Sequence, residues 1–187
     1  MVFSLVTKVV DGIKGGVSAG LKGVADVSSS AIGVVKDTTV KVLKEAGEFV
    51  EEGLDVPASI VKGAFNGLGE VGGSAIHSVK AIVNGAVQGF IKSGGKQKDA
   101  VHGTVGQAIH SAKELGTSIG ETAVAAVSGS IDAVAQVGGD TVEATREAVI
   151  AAVKTAVDLG GDALKEVEGA LSSGIKGASE IIKSVTK

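Results

Sequence analysis

The chain has 187 residues and sets 18 Lys plus Arg against 21 Asp plus Glu, for a net charge of -3 at pH 7. That balance gives no reason to expect nucleic acid as a partner, and the absence of Tyr, Trp and Cys removes most base-stacking platforms, disulfides and thiolate metal sites. Hydrophobic residues make up 44%, yet with 29 Gly and four Phe the bulky anchors of an ordinary core are nearly missing.

At the amino terminus, MVFSLVTKVVDGIKGG has no basic stretch ahead of its apolar residues and carries Lys8, Asp11 and Lys14, which argues against a secretory signal. The longest run without Asp, Glu, Lys or Arg, residues 100–112, is well short of the roughly 20 apolar residues that cross a bilayer. The expectation is a cytoplasmic protein, at most peripheral on a lipid surface, with no transmembrane span.

From Val6 the chain divides into 16 consecutive blocks of 11 residues ending at Ile181, with no insertion or deletion. Position 5 is a large apolar residue in 14 of the 16 blocks, and positions 4 and 7 are each Gly, Ala, Ser or Thr in 12. Apolar residues at positions 1, 4, 5, 8 and 11 have helical spacing and lack the period-2 alternation of a strand. The stripe comprises Leu21, Ile32, Leu43, Leu54, Phe65, Ile76, Val87, Ile109, Ile131, Val142, Val153, Leu164 and Ile175. Acids such as Asp26, Glu48, Glu114 and Asp158 fall at position 10, on the opposite face.

A 22-residue period lies over the first, because position 1 is Gly at 72, 94, 116, 138 and 160 and aliphatic at 61, 83, 105, 127, 149 and 171. Four of these glycines are doubled, each a candidate bend or C-cap, and Asp140 and Asp162 follow two of the doublets as candidate N-caps. Pro57 marks a break near 53–57, and SGGKQKD, where Lys98 replaces the apolar position 5, marks the main turn at 93–98. The fold expected is all-α, a single repeat domain over 1–187 of long amphipathic helices in an antiparallel hairpin or elongated bundle. Its N-terminal half is 1–92 and its C-terminal half 99–187.

Each helical Gly costs about 0.8–1 kcal/mol relative to Ala, too much for surface ion pairs of a few tenths each to offset. The helices therefore need an apolar surface, supplied either by lipid or by protein packed close at the small residues.

Motifs for chemistry are sparse. GVSAG places Ser18 in a G-x-S-x-G pattern, but no strand precedes it as a nucleophile elbow needs. GFIKSGGKQK, residues 89–98, resembles a phosphate loop with the wrong spacing and with Gln97 where Ser or Thr would hold magnesium. His77 and His110 both occupy position 6 and are equidistant from a bend at Ser93 and Gly94, so a chain folded back there could set them at one height. His102 stands near the turn. No catalytic, metal or cofactor site is expected, and the protein is read as a non-enzyme.

The 11-residue amphipathic blocks grouped into 22 resemble those of the lipid-surface helical proteins: perilipins, synucleins and exchangeable apolipoproteins, with bacterial phasins a looser likeness. The resemblance covers nearly the whole chain and is one of periodicity. It implies a non-catalytic protein that reversibly binds and coats a lipid or other apolar surface through the stripe. The alternative is a structural protein that self-associates through the same stripe into a bundle, tube or filament.

Overall fold

A computed structural model of the protein describes residues 2–47, 55–72 and 74–187. These form nine helices: α1 Val2–Leu21, α2 Val27–Ala46, α3 Asp55–Glu70, α4 Ala75–Lys92, α5 Gln97–Leu115, α6 Ile119–Gln136, α7 Thr141–Leu159, α8 Ala163–Gly174 and α9 Ala178–Val185. The all-α reading holds. The turn at 93–96 is one among several, and Pro57 lies in the first turn of α3, the rest of the expected break at 53–54 falling outside the described residues; each half of the chain is cut into helices of 20 residues or fewer.

The cuts follow the 22-residue period. Gly72, Gly94, Gly116, Gly138 and Gly160 all have positive φ and end successive helices. At Gly116 the backbone is left-handed (φ 68°, ψ 27°), and the amides of Gly116 and Thr117 donate back to Lys113 O and Ala112 O. This Schellman arrangement would force a Cβ into strain. N-caps recur on the same period at Ser74, Lys96, Ser118, Asp140 and Asp162. Ser118 accepts from Glu121 N, and Asp140 accepts from Val142 N and Glu143 N. One helix and one turn therefore occupy 22 residues, which is why the pattern passes through the turns without losing phase.

Helices two apart in sequence pack side by side. α1, α3, α5, α7 and α9 form one layer and α2, α4, α6 and α8 the other, a two-layer helical solenoid. Neighbours within a layer run parallel and consecutive helices run antiparallel. Along the α1–α2 seam, Gly12, Gly16 and Gly20 face Val42, Thr38 and Val34 in turn, each glycine making room for a branched side chain.

Within the layers the glycines admit backbone rather than side chain. A methyl group at Gly63 would come 2.6 Å from Val10 O of α1, one at Gly85 2.6 Å from Ile32 O of α2, and one at Gly129 2.5 Å from Lys80 O of α4. The core between the layers is mostly Val, Ala, Leu and Ile, with Phe65 and Phe90 buried at the sides of α3 and α4. Buried hydroxyls are satisfied inside their own helices: Thr39 donates to Val35 O, Thr104 to Ala100 O and Ser130 to Ala126 O at 2.7–2.9 Å. Among the described residues no buried side-chain polar atom lacks a partner.

Candidate functional site

The stripe is the surface that the sequence marks out, and the structure turns most of it inward. Leu21, Leu43, Phe65, Val87, Ile109, Val153 and Ile175 are buried. Ile32, Ile131 and Leu164 are half-buried against the same core, while Val142 is 80% exposed. Leu54 and the side chain of Ile76 lie outside the described residues.

The alternation has a geometric cause. In α4 to α7 each helix carries two position-5 residues, one in its first turn and one in its middle or second half. Val142 and Leu164 are each the second residue of their helices, at the edge of the slab where neighbouring helices have ended. Val87 and Val153 lie in helix interiors, covered from both layers.

The polar residues outside the core form rungs between helices of one layer. Lys14 pairs with Glu70 (2.7 Å), and Lys80 with Asp132 (2.8 Å). The Gln97 amide exchanges two hydrogen bonds with the Asp140 peptide, and Glu166 accepts from Gly120 N at the start of α6. Lys14, first through its hydrogen bond and then with help from the Ser18 hydroxyl, holds the Glu70 carboxyl below its ordinary value. The Ser18 hydroxyl thus serves a carboxylate on the next helix in its layer. It lies inside α1, with no strand leading to it, so the geometry of a nucleophile elbow is not present.

The phosphate-loop resemblance at 89–98 ends in the same way. The amides of Gly94 and Gly95 donate to Ile91 O and Phe90 O of α4, so they cap the helix they follow and do not cradle an anion. His77 and His110 are both exposed, on antiparallel α4 and α5, and His77 is hydrogen-bonded to Ser74. Among the described residues no group of three or more His, Asp or Glu could hold a metal ion.

The third histidine is placed differently. His102 on α5 bonds through Nε2 to Glu147 on α7, with both side chains 14% exposed, and Lys98 Nζ stands 3.6 Å from the other carboxylate oxygen. Burial pushes the Glu147 carboxyl up, but hydrogen bonding and charge from His102, and then from Lys98, outweigh it and hold the group below its ordinary value. The sequence did mark Lys98 as a defect in the stripe. Its partner 49 residues ahead could be found only by knowing that α5 and α7 lie side by side.

A groove of about 490 Å³ lies over α1, α3 and α5. Asp11, Asp55, Lys62 and Gln107 line it, the first three exposed, and the buried Ser59 hydroxyl at its wall donates to Asp55 O within α3. No described helix is long and apolar enough to cross a membrane.

No family model matches the chain, and no curated protein matches it. Among solved structures it is similar to a de novo designed helical repeat protein, at 19% identity and a TM-score of 0.53, with 100% of this chain and 97% of the designed one covered. The likeness is one of fold: this chain has the fold of a helical repeat bundle.

Proposed function

We propose that the protein is a non-catalytic helical-repeat scaffold whose working form is the closed solenoid, and that the partner of its apolar stripe is the chain itself. One observation carries this reading: several helical glycines sit where two backbones meet. Gly63, Gly67, Gly85 and Gly129 each face a carbonyl oxygen of a parallel helix in the same layer. On a lipid surface these positions would have no neighbouring backbone to admit, and each would keep its cost of about 1 kcal/mol relative to Ala. In the solenoid the same glycines permit close packing. The stripe's self-association, read from the sequence as packing within a folded hairpin or between chains, is on this reading packing within one chain.

Coating of a lipid surface stays as the second reading, because the residues that would contact lipid are the ones between the two layers. Separating the layers would present Leu21, Leu43, Val87, Ile109 and Val153 together. In the closed form the exposed large hydrophobics among the described residues are Leu115, Val142 and Val157, spread over the ends of α5 and α7. A continuous lipid-binding face is therefore not on offer until the fold opens.

The two readings separate on flotation with phosphatidylcholine-coated triolein emulsion. The scaffold reading expects the protein to stay in the aqueous layer at neutral pH. Quantitative flotation with the emulsion would replace it by the lipid coat.

A further inference from the structure

The seams between parallel helices are not built alike. α3 meets α1 through Gly63 and Gly67, α4 meets α2 through Gly85 and Gly89, and α6 meets α4 through Gly129, all close to backbone. Between α5 and α7, Gly106 faces the Thr155 hydroxyl and no carbonyl oxygen. In place of a backbone contact this seam holds His102, Glu147 and Lys98.

A half-buried carboxylate held by a histidine and a lysine is a poor substitute for packed small residues if stability is all that is needed, because desolvation takes back much of the attraction. What it adds is dependence on protonation. Of the residues around Glu147, the charged groups that act on it are His102 and Lys98, both on α5. α6, α8 and α9, which also pack on α7, contribute none, and Glu143 and Arg146 on α7 itself are exposed to solvent.

We propose that the seam between α5 and α7 is an acid-sensitive joint, at which neutralising Glu147 loosens α7 and α9 from the helices before them. Without its negative charge the side chain loses the carboxylate's strong bond to His102 and its attraction for Lys98, and the two helices keep only the weaker rungs from Gln97 to Asp140 and from Lys113 to Leu159 O. α1 to α4 hold one another through glycine contacts that carry no titratable group, and the Lys14–Glu70 pair beside them is open to solvent, so they stay closed.

Hydrogen exchange read by mass spectrometry on the full chain tests this. Glu147→Gln at neutral pH keeps the shape of the side chain and removes its charge. It should raise exchange in peptides from α7 and α9 about tenfold or more, the order expected for losing a charged hydrogen bond, while peptides from α1 to α4 stay unchanged. Lys98→Gln, which leaves the His102 bond in place, should give a smaller rise in the same peptides. An unchanged α7 in Glu147→Gln, or an equal rise in all nine helices, would overturn the proposal.

Discussion

At the scale of single residues, the glycines separate into two groups with opposite predicted effects. Gly63 faces Val10 O and the Ile13 side chain, so Gly63→Ala should push α3 off α1 and cost about 1–3 kcal/mol. Gly15, in the same kind of helix but with open space around it, should gain about 0.5–1 kcal/mol as Gly15→Ala. Urea denaturation followed by circular dichroism reads both, and equal effects of one sign would remove the distinction. Glu147 gives a prediction in pH. Its carboxyl is held lower in the folded protein than the ordinary value of 4.5, so its contribution to stability is complete above about that pH. It is lost as the pH falls through the lower folded value. The stability gap between the natural protein and Glu147→Gln should therefore narrow on acidification, and a gap that widens below pH 4.5 would contradict the assignment.

At the scale of elements, the helix ends explain how the repeat works. Asp140 accepts two amide hydrogen bonds at the start of α7, whereas Asp162 makes no side-chain cap bond at the start of α8. Asp140→Ala should cost about 1 kcal/mol and Asp162→Ala clearly less, measured as shifts in thermal midpoint. Both caps and the glycine stops could be read from the chain, because capping is local chemistry written in adjacent letters. The number of turns was harder to read: GGKQ at 94–97 stands out through Lys98, whereas Gly116 is a lone glycine marked only by its place in the 22-residue period, and its left-handed backbone is what separates a stop there from Gly106 inside α5. A long 11-residue stripe also has the same phase in one extended helix as in a stack of short ones, since a turn that completes 22 residues leaves the register untouched. Which helices would lie side by side, and hence the joining of His102 to Glu147, is a property of the layers and is absent from any local window.

At the scale of the whole molecule, the issue is whether the stripe serves the fold or a foreign surface. The solenoid makes its rungs unequal. Val153→Lys would bury a charge between the layers and should unfold the protein, whereas Val142→Lys, at a site 80% exposed, should change stability by less than about 0.5 kcal/mol. A helix lying on lipid would count both residues alike. On the proposed reading, the same stripe that suggested a likeness to droplet and vesicle coats serves the packing of the chain on itself, with Gly, Ala and Val allowing the two layers to form where larger side chains are scarce. The most direct test is far-UV circular dichroism of the dilute protein at neutral pH, with and without phosphatidylcholine vesicles. The solenoid predicts full helicity in buffer alone and no gain on adding lipid; a weakly helical chain that becomes helical only with vesicles would contradict it.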